Sequence, residues 1–436
     1  MDEIRIAGGK PLYGTVSVQG SKNAALPMMA ASLLHRGVSV LKGCPKIADV
    51  FCMEEILREL GAVTWWEDHD LYMDCTYADG TEIPCAFTGK MRSSVILLGA
   101  LLGRSGMGCL GYPGGCVIGQ RPIDLHLYAL RKLGAVIEEG PFLISAMCGR
   151  LLGNEICFAN KSVGATEQGI LGAVLAKGET CLKNCAREPE IKWLCRYLRG
   201  MGAEIQGDGG DCIYIKGVEE LKGGDMQVPA DRIVAGTYLC ACAATRGKVA
   251  LTNPPEGELD AFLEVYRKIG GQYKVKSGKL VADGSGVRHA LPLLETEVYP
   301  GFPTDLQSPL MAVLATIPGE SHIREMIFED RFKAAAELNR MGAGITVTGR
   351  DAWIQGGSPL HGCTVYAEEL RGGAALILAA LAAEGETTVR GYSYICRGYE
   401  HICEDLAALG GVIMKDTGTD LYENIHFSEK TADQYQ

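Results

Sequence analysis

Leu60–Trp66 reads LGAVTWW, and five other stretches repeat its opening. They are LGAVIEE at Leu133–Glu139, MGAEIQG at Met201–Gly207, IGGQYKV at Ile269–Val275, MGAGITV at Met341–Val347 and LGGVIMK at Leu409–Lys415. The first glycines, Gly61, Gly134, Gly202, Gly270, Gly342 and Gly410, are 73, 68, 68, 72 and 68 residues apart. A period near seventy exceeds that of the common solenoids, so each unit reads as a small layered module. Met53, Ile56, Leu57 and Leu60 follow a helical i, i+3, i+4, i+7 stripe, as do Phe262, Val265, Tyr266 and Ile269. Each phrase therefore closes an amphipathic helix, with glycine at the left-handed position beyond the helix end. Alternating residues around a glycine-rich turn follow, as in AEIQGDGGDCIYIKG, and predict a β pair.

Each unit also carries an earlier, more apolar helix. These helices are expected from about Asn23, Arg92, Thr166, Arg232, Asp305 and Arg371. Their middles, such as GAVLA, LCACAA and LILAALAA, are apolar nearly all round and belong inside a helix bundle. The unit reads α, short β, α, β, β, six times over, and predicts two domains of three repeats each. The expected boundary lies near MQVPADR, Met226–Arg232.

The totals narrow the function. The chain has 436 residues and a net charge of −11, with 47% hydrophobic and 22% charged residues. That describes a globular chain with a sizeable core, and it argues against a nucleic-acid or anionic-membrane role. The longest apolar runs, VILLGALLG and AALILAALAA, fall short of the ~18 residues a membrane span needs. MDEIRIAGG lacks the apolar run of a signal peptide, and 17 cysteines without one read as reduced thiols. CLKNC and CAC lack nearby histidines, so no metal is expected there.

Cations stand where helices begin. The core helices open near Lys22, Arg92, Arg232 and Arg371, and the second helices near Arg121, Arg331 and Arg397. Helix N-termini offer free N–H groups and partial positive charge, so arginine and lysine there call for a compensating anion. Acidic residues at the other openings, such as Asp49, Asp124, Glu188, Glu190 and Glu400, are ordinary caps. Cys116 lies in PGGC, a flexible loop five residues before Arg121, whose charge could lower a thiol pKa. The plainer reading of Cys116 is an inert thiol.

Seven segments together resemble one family. They are GSKNAALP at Gly20–Pro27, PGGCVIGQRPIDLHL at Pro113–Leu127, SVGATE, AREPEI, PGFPTDLQ, LRGGAAL and RGYEHI. In this order, across nearly the whole chain, they resemble the UDP-N-acetylglucosamine 1-carboxyvinyltransferases. The resemblance implies a two-domain, inside-out α/β barrel of six repeats. One domain would span 22–229, and the other would join 1–21 to 230–436, with the active site in the cleft between them. It implies transfer of the enolpyruvyl group of phosphoenolpyruvate to the 3′-hydroxyl of UDP-N-acetylglucosamine, releasing phosphate. That is the first committed step of peptidoglycan synthesis, in the bacterial cytoplasm, and a fosfomycin target. No cofactor, metal or protein partner is implied.

By the same resemblance, Cys116 is the general acid, Asp305 the base, and Lys22 and Arg397 complete the catalytic set. Lys22, Asn23, Arg92, Arg121, Arg331, Arg371 and Arg397 would meet phosphoenolpyruvate. The UDP-sugar side would comprise Asn23, Arg92, Arg121, Pro122, Ile123, Asp124, Leu125, Lys161, Ser162, Val163, Gly164, Asp305 and Ile327. Guanidinium forks suit carboxylate and phosphate, which the two substrates carry. Three positions depart from the family pattern: Glu369 stands where Asp is usual, Cys396 where an acid is expected, and Lys161 one place after the usual lysine. A 5-enolpyruvylshikimate-3-phosphate synthase and a non-catalytic UDP-sugar-binding relative are the rival readings. The PGGC loop and RPIDLHL oppose the first. The joint presence of Lys22, Cys116, Arg121, Asp305 and Arg397 opposes the second.

Overall fold

Six four-stranded sheets and the helices between them make up the computed structural model of the protein, which describes residues 2–114 and 122–415. The first sheet shows the pattern. Helix Lys22–Ser32 leads to strand Val38–Lys42, helix Ala48–Glu59 follows, and Val63–Glu67 and Asp70–Asp74 form a hairpin. Val38–Lys42 pairs antiparallel with the second hairpin strand, Val38 opposite Asp74. All six glycines of the repeated phrase have φ between +94° and +103°, as the helix-end reading requires.

A fourth strand in each sheet was not expected. Asp225–Gln227 lies parallel beside Val38–Lys42, though some 185 residues separate Asp225 from Val40. Glu82–Ile83, Glu155–Cys157, Leu294–Glu295 and Thr364–Tyr366 do the same in other sheets. The N-terminus fills the gaps at the end of the pattern. Glu3–Ala7 inserts between Glu386–Arg390 and Val412–Lys415, and Tyr13–Ser17 pairs parallel with Lys248–Thr252. Every sheet is therefore mixed, with one parallel and two antiparallel pairs, an α/β arrangement.

Burial separates the helices as their patterns demand. Arg232–Ala244 is buried at every position, and Leu370–Ala382 at all but its last. Met53, Ile56, Leu57 and Leu60 are fully buried, while Glu55, Arg58 and Glu59 on the same helix reach solvent. One apolar cluster runs from Ala24 to Val228; a second joins Ile4–Val18 to Ala230–Leu409. The chain passes between the clusters twice, side by side: Ser21 N donates to Pro229 O at 2.7 Å and Asp231 N to Gln19 O at 2.9 Å.

Two expected helix starts lie elsewhere. Arg331 and Arg397 sit in turns upstream of helices Ala334–Arg340 and Ile402–Ala408. Both side chains turn toward carboxylates on other elements, which their positions in the turns allow. No helix among the described residues is long and apolar enough to cross a membrane.

Candidate active site

All six core helices open onto one cleft of about 910 Å³. Its walls include Lys22 and Asn23, Met91–Ser93, Ser162–Gly164, Arg232, Pro303–Asp305 and Glu369–Arg371, which are the first turns of those helices or the residues just before them. Six N-termini thus turn partial positive charge toward one space, although Ser21, Ser162, Asp231 and Glu369 already accept first-turn N–H groups in four of them. Among the described residues, Lys22, Arg92, Lys161, Arg232, Arg331, Arg371 and Arg397 add seven full charges to it.

Two carboxylates organise four of those cations. Asp49 Oδ2 lies 2.8 Å from Lys22 Nζ, while Arg397 approaches it through Nε at 2.8 Å from Oδ1 and Nη2 at 3.3 Å from Oδ2. Asp49 belongs to the first apolar half and Arg397 to the second, so the fork ties them together. The neighbouring bond from Ala48 N to Cys396 O, 3.0 Å, repeats the tie. Burial pushes the Asp49 carboxyl up, but Lys22 and Arg397 outweigh it and hold it below the ordinary value.

Asp305 stands on a short 3₁₀ turn, Thr304–Leu306. Its Oδ1 is 2.7 Å from Arg331 Nη2 and its Oδ2 3.4 Å from Arg371 Nη2. Burial raises its carboxyl; Arg371 and Arg331, with Lys22 and Arg232 behind them, more than reverse this and hold it far below the carboxylate range. The Arg371 guanidinium also lies over the Tyr399 ring, 5.3 Å from its centroid. Arg331 Nε and Arg232 Nε are buried without a hydrogen-bond acceptor. Buried donors of this kind ordinarily have partners, so the cleft has donors to spare for an anion.

The expected site residues mostly converge. Lys22, Asn23, Arg92, Pro122, Asp124, Leu125, Lys161, Ser162, Val163, Gly164, Asp305, Ile327, Arg331, Arg371 and Arg397 all line the cleft. Cys116 and Arg121 lie outside the described residues. Ile123 is not at the wall: its side chain is buried in the first apolar cluster, ahead of helix Asp124–Lys132. Arg92 Nη2 donates to Pro122 O at 2.8 Å, which fixes the edge of the RPID segment. Lys161 Nζ and Arg187 Nη2 share the Asp211 carboxylate.

The departures acquire physical roles. Glu369 caps helix Leu370–Ala382: its Oε2 accepts from Arg371 N at 2.9 Å and its Oε1 from Gly372 N. Cys396 is buried, and burial pushes its thiol up to about 12.

Other cleft residues were missed or read only as caps. Arg232 Nη2 is 3.1 Å from Glu190 Oε1. Behind the cleft wall, Glu325 is fully buried, accepting from Thr304 Oγ1 at 2.9 Å, Ile327 N at 2.8 Å and Phe328 N at 3.1 Å. It thus binds the Ile327 turn to the Asp305 turn. Asp49 stood in the first turn of its helix, where an acid is expected anyway, so its pairing gave no local signal.

Comparison with known proteins agrees with the residues. The family model described as EPSP synthase (3-phosphoshikimate 1-carboxyvinyltransferase) matches residues 6–406. A UDP-N-acetylglucosamine 1-carboxyvinyltransferase 2 of Caldanaerobacter subterraneus subsp. tengcongensis is 43% identical over 415 residues, 95% of this chain and 100% of that protein. The chain belongs to the UDP-N-acetylglucosamine 1-carboxyvinyltransferase family. A UDP-N-acetylglucosamine 1-carboxyvinyltransferase 1 of Symbiobacterium thermophilum is 45% identical over 416 residues, 94% of each chain. Among solved structures, the enolpyruvyl transferase NikO from Streptomyces tendae is 25% identical with a TM-score of 0.84, covering 94% of this chain and 98% of its own. An EPSP synthase from Acinetobacter baumannii, 18% identical over 95% of this chain and 100% of its own, has a TM-score of 0.70 and shares the fold. The relatives at 43% and 45% identity therefore favour this family over the shikimate-type reading, which has the broad family model and a fold likeness at 18% identity.

Proposed function

We propose that the chain transfers the enolpyruvyl group of phosphoenolpyruvate to the 3′-hydroxyl of UDP-N-acetylglucosamine, releasing phosphate, in the bacterial cytoplasm at the start of peptidoglycan synthesis. The observation that carries this reading is the convergence of six helix N-termini and seven described cations on a cleft in which Asp305, held between two arginines, is open to a substrate. Phosphoenolpyruvate brings a phosphate and a carboxylate, and the acceptor brings a diphosphate. An anionic protein needs such a local concentration of positive charge to hold both. The six sheets serve as six repeats, three in a domain of residues 22–229 and three in a domain of 1–21 with 230–436, an inside-out barrel pair around the cleft.

Each residue has a step. Cys116 donates a proton to the CH₂ carbon of phosphoenolpyruvate, leaving C2 open to attack by the sugar 3′-oxygen. Asp305 accepts the hydroxyl proton as the carbon–oxygen bond forms. Its low pKa makes it a weak base that stays ionised, so it orients the hydroxyl first and takes the proton late. Lys22, Arg121 and Arg397 bind the phosphate and stabilise its departure; Arg92, Arg331 and Arg371 support the carboxylate and the charge. The Cys116 thiolate then takes back a proton from the new methyl group, the double bond is restored, and phosphate leaves, picking up the proton held by Asp305. Asn23 meets the sugar. Pro122, Ile123, Asp124, Leu125, Lys161, Ser162, Val163, Gly164 and Ile327 hold the uridine diphosphate side, Ile123 through its backbone.

Phosphate release from phosphoenolpyruvate tests the reading, with either UDP-N-acetylglucosamine or shikimate 3-phosphate as acceptor. Release with the UDP-sugar alone, blocked by fosfomycin, is expected. Release with shikimate 3-phosphate, or with neither acceptor, overturns it.

A further inference from the structure

Away from the cleft, a second polar cluster joins the two apolar halves. His69 lies on the hairpin turn between strands Val63–Glu67 and Asp70–Asp74. Glu400 and His401 lie just ahead of helix Ile402–Ala408. Their ligand atoms gather within 4.8 Å of one another. His69 Nε2 is 2.9 Å and His401 Nε2 3.5 Å from the same oxygen, Glu400 Oε1. A tetrahedral ion about 2.0–2.1 Å from nitrogen and oxygen ligands sets them roughly 3.3 Å apart, which small rotamer adjustments supply.

Two further features suit a metal. The Asp68 carboxylate lies 3.4 Å from His69 Nδ1, on the far side of the ring. The Nε2–H makes the 2.9 Å contact with Glu400; an ion would displace that proton and leave Nδ1–H facing Asp68, the arrangement of a metal-bound imidazole with its supporting carboxylate. Glu400 is itself held: its backbone N–H donates to Gln19 Oε1 at 2.9 Å, and Gln19 Nε2 donates to Gly398 O at 3.2 Å. Its side chain is 5% exposed, whereas the two imidazoles are about half exposed, so an ion has a route in.

We propose that His69, Glu400 and His401 form a binding site for one zinc ion that bridges the hairpin of the first half to the turn of the second. Two imidazoles and one carboxylate leave the fourth position for water, a donor set suited to zinc. The ion plays no part in the chemistry of the cleft, and the inference stands whatever reaction the cleft performs.

Cobalt(II) is the probe, because the chain's many thiols also attract zinc and thiolate ligation has its own signature. Metal-free full-length protein is titrated with cobalt(II) under reducing conditions and followed by absorbance. One equivalent with a visible tetrahedral band and no thiolate-to-cobalt charge-transfer band is expected. That band is lost in His69→Ala and in His401→Ala, and Asp68→Asn weakens binding about tenfold. Zinc displaces the cobalt and raises the melting temperature of wild type but not of His69→Ala. Both imidazoles are surface groups, and circular dichroism checks that the variants fold. Glu400→Gln provides a third, conservative loss of a ligand. Equal binding by wild type and the histidine variants, a thiolate charge-transfer band, or no binding by the folded wild type overturns the proposal.

Discussion

Asp49 and Asp305 each hold two cations at the cleft, yet they are built differently. The Asp49 side chain is 7% exposed, and both of its oxygens are committed to Lys22 and to the Arg397 fork. The Asp305 side chain is 31% exposed, with one cation on each oxygen. The cations on Asp305 come from Arg331 and Arg371 of its own apolar half, whereas those on Asp49, Lys22 and Arg397, come from both halves. The first arrangement is a clasp. The second leaves oxygen lone pairs facing the cleft, as a group that must receive a hydroxyl requires. Equal local charge is therefore closed into a clasp in one place and left open to the cleft in another, where the proposed chemistry needs it.

The largest expected break in this contrast is Asp305→Asn. Turnover should fall about 10³-fold, with some loss of stability as well, because buried Arg331 and Arg371 keep their charges without their partner. Steady-state kinetics and calorimetry on the same preparation decide it, and unchanged turnover removes Asp305 from the reaction. Asp49→Asn should behave oppositely in its main effect. Removing one partner of a buried ion cluster costs roughly 3 kcal/mol, read by denaturant unfolding. Wild-type stability in that variant would mean the clasp is not one.

Titration sharpens the same comparison. Both carboxyls sit below their ordinary value of about 4 when folded. Their stabilising contribution is therefore full above that value and is lost as the pH falls through the folded-state values. Between about pH 6 and 8 neither should produce an inflection in stability.

Glu369→Asp is a smaller test. It shortens the cap of Leu370–Ala382 by one methylene and should cost about 1 kcal/mol or less, with a smaller loss of activity than Asp305→Asn. The smallest effect belongs to Glu167. Burial, then Glu190 and Glu188, push its carboxyl well above the usual range. The sign is opposite to that of Asp305: the folded state holds its proton more tightly, so stability declines as pH rises above the unfolded value. Glu167→Gln should raise the melting temperature by about 2 °C at pH about 8 and by less at pH about 5. A lower melting temperature at the higher pH would contradict this.

Much of the scaffold was legible because it is local. A glycine at positive φ follows an amphipathic helix at Gly61 as at Gly410, and both the helix stripe and the alternating β pair lie within a few turns of it. The fourth strand was not legible. Glu82–Ile83 and Leu294–Glu295 are two residues long, too short to alternate, and their place comes from the neighbouring unit. The site was legible as a set of cations at helix openings. Its wiring was not, because Asp49 and Arg397 are 348 residues apart and either could have paired elsewhere. Cys116 and Arg121 were expected from the PGGC and RPID segments, and their test is chemical.

The measurement closest to the central claim is the fate of the vinyl protons. The chain is run in deuterium oxide with phosphoenolpyruvate and UDP-N-acetylglucosamine, and the product is examined by NMR and mass spectrometry. Protonation of the CH₂ carbon followed by loss of a methyl proton predicts deuterium in the enolpyruvyl CH₂ of the product, with phosphate release dependent on the acceptor. An enolpyruvyl product without deuterium at that carbon would contradict addition and elimination in this cleft.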